Sequence, residues 1–450
     1  MKFLVPIFLF FAFACSAPKS LEKCDLIINN ATIVDAKKDQ IRGSKWVAIS
    51  EDVIVATGDM DAMPWEAAKQ IDAEGQYLMP GLWDNHVHFR GGDSLIEENK
   101  ALLSHFLSHG VTTIRDAGGD ITTAVKSWQK KIAEGNLQGP TIFTSGPKLD
   151  GERPAWAGSI KVTNEQEVVL AFDSLESIGI NYVKTYDGSL KAEQYYQIIK
   201  EAEKRGLKVT GHMPLTALLM KAVELGLDGT EHMYYLFKAC SVKEDSLTAV
   251  GGGYGMMGDL LATYDEQLAD SVFGVLAEKE FYVTPTLYIG KLLSTLAIDD
   301  HREDSMLQYM GPGVQNTYQG RVRTAKRNAS SLSRNRNALG EKFREMMLPI
   351  YNSGTTILAG SDCGPYNSFV YPGRSLQGEL FELVAAGLTP AQALACSYIN
   401  GPRFMGLSEK YGEVSTGRRA DLILLSRNPL EDISNVASVK KVIKDGKEIL

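Results

Sequence analysis

The feature that most constrains this chain is an alternation: short apolar runs separated by stretches with helical apolar spacing fill its middle. Eight such runs occur, namely Tyr77 to Phe89, Val111 to Ala117, Thr141 to Ser145, Tyr182 to Tyr186, Lys208 to Met213, Thr230 to Met233, Tyr282 to Leu287 and Thr356 to Asp362. The helical stretches include Ser94–His109, Asn164–Ile178, Lys191–Arg205 and Leu215–Leu225, and Thr389-Pro390 supplies a helix start with an N-cap and a proline at the first turn. A strand that returns parallel to its predecessor needs a crossover, so this alternation predicts an α/β fold with a parallel sheet. Eight units over about 330 residues favour a closed (β/α)8 TIM-like barrel. An open doubly wound sheet is the alternative, but no Gly-x-Gly-x-x-Gly follows an early strand.

The ends of the chain read differently. Leu26-Ile27-Ile28, Ala31 to Val34, Trp46 to Ile49 and Val53 to Ala56 are short strands between polar turns, and Ala420 to Leu425 and Val439 to Ile443 repeat the pattern. We therefore expect a small β-sandwich domain made from residues 24–80 and 409–450, around a barrel of residues 81–408. Two insertions stand out within the barrel: the glycine-rich Gly251-Gly252-Gly253-Tyr254-Gly255, and a polar stretch from Asp299 to Lys342 placed to cover the barrel mouth.

Residues 1–20 have the form of an export signal: Met1-Lys2, an apolar run from Phe3 to Ala14, and the small-x-small Ala12-Phe13-Ala14. Cys15 directly after it has the position of a lipidated cysteine, which predicts an exported, periplasmic or membrane-anchored lipoprotein with a lipid anchor at Cys15. The run is shorter than the roughly 20 residues a membrane helix needs. Acidic residues (55) outnumber basic ones (47), so the overall charge of −8 offers no footprint for nucleic acid. Five scattered cysteines without a Cys-x-x-Cys pair indicate neither a zinc ribbon nor a disulfide framework.

Chemistry is carried by where the histidines fall. Of seven, His86, His88, His212 and His232 lie at the C-terminal ends of predicted barrel strands, the edge where barrel active sites assemble. His86 and His88, two apart on one strand, point to the same face and can chelate one divalent ion. A His-x-His alone is a weak signal. Its company strengthens it: Asp362 ends the eighth run, and Lys184 lies inside the apolar fourth, where a bare ammonium would be costly to bury. Six metal-competent groups on five strand ends predict a metal site. His105 and His109 are read as outer-helix residues, His301 as solvated and Cys363 as a packing residue.

These features resemble the amidohydrolase superfamily of metal-dependent hydrolases. The likeness runs through Pro80-Gly81-Leu82-Trp83-Asp84-Asn85-His86-Val87-His88, Val183-Lys184, Gly211-His212, Glu231-His232, Gly360-Ser361-Asp362 and Gly417-Arg418-Arg419-Ala420-Asp421. The Val-Lys strand is similar to the imidazolonepropionase-like and Xaa-Pro or Xaa-Arg dipeptidase-like branch. The resemblance implies two divalent metal ions, zinc foremost, with His86, His88 and Asp362 holding one, His212 and His232 the other, and Lys184 as an N-carboxylysine between them. It implies hydrolysis of a C–N bond of a small-molecule substrate by metal-activated hydroxide, with Asp362 as general base and acid. A dipeptide or N-acyl amino acid is the expected substrate. A cyclic amide or lactone is the alternative, and an inactive metal-binding surface scaffold is the alternative of another class. Tyr186, Tyr288 and Arg374 are the candidate substrate-binding residues, and assembly as a homo-oligomer is left open.

Overall fold

The computed structural model describes residues 21–327 and 329–450, with side chains described outside 329–335. The signal segment and Cys15 therefore lie outside the described residues. Both ends of the described chain meet in one eight-stranded sheet. Its order runs Lys447–Glu448, Val439–Lys444, Leu422–Leu425, Tyr77–Pro80, Glu22–Asp35, Gln40–Ser50 and Val53–Asp59, with Trp65–Asp72 also pairing the long strand Glu22–Asp35. That strand is shared by both layers: residues 22–29 run parallel to Trp65–Asp72, while Thr32 and Ile33 pair Tyr77 and Leu78. The sandwich is thus a single sheet curled over its own core. Leu26, Ile28, Ile33, Val47, Leu78 and Leu422 face inward together, and Ile27, Trp46 and Ala48 pack on the opposite face. The period-two alternation of a strand produces these two faces.

The middle of the chain forms the barrel. Its strands are Leu82–Val87, Val111–Asp116, Thr141–Thr144, Val183–Thr185, Val209–Gly211, Gly229–Glu231, Tyr282–Thr284 and Thr356–Ile357. Neighbours pair in parallel from the first to the third, the fourth to the fifth, and the sixth to the eighth. Asn181 donates its backbone N–H to Thr144 O at 2.9 Å between the third and fourth. Side chains join the fifth to the sixth, as Thr210 Oγ1 donates to Glu231 Oε1 at 3.0 Å. The ring closes where Asp362 N donates to His86 O (2.7 Å) and His88 N to Cys363 O (2.8 Å).

Outer helices follow the expected order, with Ile96–Ser108, Glu165–Ile178 and Ala192–Arg205 among them. Asn164 caps one by accepting from Glu167 N, and Thr389 with Gln392 forms a capping box before Pro390–Tyr398. The expected helix over 215–225 is shorter, Leu219–Glu224, because Pro214 to Ala217 closes a turn of its own, with Ala217 N donating to Pro214 O. The glycine-rich stretch is not a plain loop either, since Gly253–Met256 forms a short 3-10 helix. The long insertion contains the helices Pro312–Arg327 and Ala329–Ser353, and these lie across the barrel mouth beside Leu287–Thr295. No helix of the described residues is long and apolar enough to cross a membrane.

Candidate metal centre

Strand geometry delivers the polar groups to one point. His86 and His88 leave the first strand two residues apart, with Nε2 atoms 3.2 Å from each other. His212 follows the fifth strand and His232 the sixth, their Nε2 atoms 3.0 Å apart. Asp362 sits between the pairs: Oδ1 lies 3.3 Å from His88 Nε2 and 3.5 Å from His86 Nε2, and Oδ2 lies 4.0 Å from His232 Nε2. His232 (φ 66°) and Asp362 (φ 57°) both adopt left-handed backbone that side-chain-bearing residues avoid. Such conformations persist where the surroundings impose them, and they concentrate at functional sites. Gly360 permits the close approach of the eighth strand, since a Cβ there would come within 2.7 Å of the His86 Cβ.

The second nitrogen of each ring fixes what the first can do. His88 Nδ1 is 2.8 Å from Gly118 O, an oxygen that only accepts, so its proton sits on Nδ1. His86 Nδ1 faces Glu231 Oε2 at 2.5 Å and His212 Nδ1 faces Asp187 Oδ1 at 3.0 Å, with the same consequence. His232 Nδ1 meets the Thr286 hydroxyl at 2.6 Å. Nε2 lone pairs of His86, His88 and His212 are therefore turned inward. Burial pushes His86, His88 and His232 below the ordinary imidazole value, so protons do not fill the space at neutral pH. Burial alone would raise the Asp362 carboxyl, but the adjoining His86 and His88 outweigh it and hold it well below the usual carboxylate range. Inward lone pairs gathered around a carboxylate fit a divalent cation in both donor type and tautomer. Among the described residues, His86, His232 and Asp362 bring one ligand atom each within 4.8 Å of one another.

Beneath this ring lies a charged floor that sequence reasoning missed. Glu231 is fully buried and accepts from Arg115 Nη2 at 2.8 Å, while its other oxygen holds His86. Arg115 also donates Nε to Asn85 O at 2.7 Å. Both residues were visible as charges inside apolar strands, the same signal that singled out Lys184. Lys184 Nζ is buried, 3.9 Å from Glu231 Oε1, without a hydrogen-bond partner among the described residues. Burial lowers its amine to about 8.

A cavity of about 390 Å³ opens over the ring, lined by His88, His212, His232 and Asp362 below, and by Leu287, Leu293, Phe343, Arg321 and Arg336 above. Tyr186 lines it, its ring 4.3 Å from that of His212. Tyr288 and Arg374 do not line it. Tyr288 turns its ring onto the helix Arg374–Ala385, where a Cβ on Gly378 would meet it at 2.6 Å, and Arg374 bonds Gln377 on that same helix. Their place after the seventh and eighth strands put them near the mouth, and helix packing then turned them outward. His105 and His109 sit on the outer helix and its end, and His301 stacks on Phe369 at 4.1 Å rather than facing solvent alone. Cys363 is buried, and burial raises its thiol well above the ordinary value, so no reactive thiolate lies beside Asp362. Sequence reasoning also missed Arg90, Trp156 and Asn367, which come from loops without a periodic signal, and Arg321, which lies on the helix Pro312–Arg327.

Comparison with known proteins agrees with this geometry. The chain is 22% identical to an ochratoxinase from Aspergillus niger, across 92% of this chain and 84% of that one. An adenine deaminase from Desulfotalea psychrophila is 37% identical over a shorter stretch, 47% of this chain and 36% of its own. Among solved structures, a Xaa-Pro dipeptidase with bound methionine superposes with TM-score 0.69 at 20% identity, covering 94% of this chain and 99% of its own. The model of the amidohydrolase family matches residues 77–449, from the strand before the barrel to the closing turn of the sheet. The chain belongs to the amidohydrolase family, hydrolases that act on carbon–nitrogen bonds.

Proposed function

We propose that this hydrolase cleaves the amide bond of a dipeptide or an N-acyl amino acid. The observation that carries the reading is the convergence of His86, His88 and His232 Nε2 on Asp362, with His212 Nε2 3.0 Å from that of His232, beneath a cavity lined by both apolar and charged side chains. His86, His88 and Asp362 would hold one divalent ion, and His212 and His232 a second, zinc being favoured by the nitrogen-rich set. Divalent cations held there supply Lewis-acid chemistry, acidifying water and polarising a carbonyl oxygen. Lys184 fits as a carbamate: its amine adds to carbon dioxide, forms an N–C bond and loses a proton, replacing an orphaned buried amine with anionic oxygens.

Asp362 is placed for proton traffic. Asn367 Nδ2 donates to its Oδ1 at 2.7 Å, leaving Oδ2 to take the proton of the attacking water and deliver it to the leaving nitrogen. Leu287, Leu293 and Phe343 give the cavity an apolar side against which an acyl group can pack. The likeness to a dipeptidase supports a substrate with an amide between two small units.

Metal analysis of the purified protein, followed by a dipeptide and N-acyl amino acid library, tests the reading. Bound divalent metal with release of a free amino acid is expected. Metal without hydrolysis, or ammonia release from ring amines, overturns it. Isotope-labelled bicarbonate should yield a carbamate carbon signal that Lys184→Met abolishes. We also propose that residues 1–20 direct export with lipidation at Cys15, so that Cys15→Ser moves the protein from the membrane to the soluble fraction.

A further inference from the structure

A second, smaller cavity of about 230 Å³ adjoins the first, and Arg90 and Trp156 line both. Its wall carries two buried cations. Lys148 is 2% exposed and Arg90 4%. Lys148 Nζ lies 5.0 Å from the Trp156 ring centre and 5.3 Å from that of Tyr186, and the Arg90 guanidinium carbon lies 4.0 Å over Trp156. Arg90 Nε donates to Pro365 O, its one side-chain hydrogen bond among the described residues, and Lys148 Nζ makes none. Neither cation forms an ion pair among the described residues. Asp120 is the carboxylate of the lining, and its Oδ1 accepts from Gly91 N at 2.8 Å. Trp156 Nε1 is a buried donor beside Tyr186 with no hydrogen bond within normal distance among the described residues.

Two cations and an indole N–H around one space present donors only. Aromatic faces recover part of the cost of burying the cations, but the lining sets one carboxylate, Asp120, already engaged by Gly91 N, against two positive charges, so a further anion is the complement. We propose that Arg90 and Lys148 form a recess that seats a free carboxylate of the substrate, deepening the amide-hydrolase reading and resting on it. Arg90 has unused terminal nitrogens in a planar fork that matches a carboxylate, and Lys148 adds a point charge to the same lining. Tyr186 bridges the recess to the metal centre, reaching Lys148 on one side and His212 on the other. The carboxylate therefore sits on the flank of the scissile bond, where the amino acid half of the substrate carries it. The mouth agrees with this charge. The larger cavity is lined by Arg90, Lys291, Arg321, Arg336 and Arg344 against Glu341 and Asp362, in a chain of net charge −8. A positive mouth on a negative protein draws anionic substrates.

The test compares N-acyl amino acids from the library with their carboxamides, using the metal-loaded full chain. The free acid should be preferred by about 100-fold in kcat/KM, because the carboxamide leaves two buried cations unpaired. Lys148→Met and Arg90→Gln should each collapse that ratio toward one, with the change in KM for the free acid. Calorimetric binding of N-acetyl-L-phenylalanine against its amide gives a reading that needs neither turnover nor variants, and tighter binding of the acid is expected. Equal cleavage and equal binding of acid and amide by the native chain overturn the recess. So does a ratio unchanged in both variants. Failure to cleave either form counts against the amide-hydrolase reading, and calorimetry then decides the recess alone.

Discussion

In the curled sheet, Leu26, Ile28, Ile33, Val47 and Leu422 are all but sealed from solvent and pack together in one apolar cluster. At the barrel mouth His86, Lys184, Glu231 and Arg115 are sealed as completely, yet each brings a charge or a lone pair with it. Sheet residues satisfy their backbone along the strands and bury carbon. Mouth residues leave Lys184 Nζ and Arg115 Nη1 without hydrogen-bond partners among the described residues and hold His232 and Asp362 in left-handed backbone. The sheet keeps what stabilises it, whereas the mouth keeps what reacts, at a cost in strain and desolvation that the surrounding barrel offsets.

The sharpest way to break this contrast is to remove the reacting group while keeping its shape. Asp362→Asn should lower kcat by at least about 1000-fold, since the proposed mechanism routes both proton transfers through Oδ2. Its Tm should stay within a few degrees of the parent and much of the metal should remain bound. Steady-state kinetics with metal analysis checks this, and full activity in Asp362→Asn would remove the carboxylate from the mechanism. Glu231→Gln sharpens the contrast from the other side, because Glu231 belongs to both stability and site. It should cost about 3–5 kcal/mol by denaturant unfolding, as the Arg115 charge loses its buried partner. It should also weaken metal binding through loss of the His86 contact. In the sheet, Leu422→Ala should cost about 2–5 kcal/mol while kcat per folded molecule holds. A kcat that falls with Leu422→Ala would mean that the sheet reaches into the site.

How much of this was legible follows the same divide. The sheet and the barrel strands are local patterns, so Val183-Lys184 and the alternation around Leu26 could be read from neighbours along the chain. The strand-end histidines could be found because strands in a barrel end at one rim. Glu231 and Arg115 sit in strands too, but their roles depend on each other across 116 positions, and no local period links them. Arg90, Lys148 and Trp156 come from loops, where the side-chain direction is set by packing rather than by repeat. The same lack of a period misplaced Tyr288 and Arg374, whose position after the right strands said nothing about the helix packing that turns them away.

The smallest effect expected lies between the two regions, in Glu379 on the helix Arg374–Ala385. Its carboxylate accepts from the backbone N–H groups of Leu287 and Tyr288, at 3.0 and 2.7 Å, and burial raises its carboxyl to about 8 despite those bonds. The folded state then holds a proton that the unfolded chain has already released above its ordinary value near 4.5. Where the native state binds more protons, stability falls as pH rises, so this group's contribution is complete below about 4.5 and is lost through about 8. Glu379→Gln, which cannot ionise, should flatten that decline in Tm between pH 5 and 8 by about a few degrees. A decline of equal slope in both proteins would place the titrating group elsewhere. A flattened curve with unchanged kcat would show that a buried acid bonded to the backbone of Leu287 and Tyr288 can still belong, energetically, with the sheet.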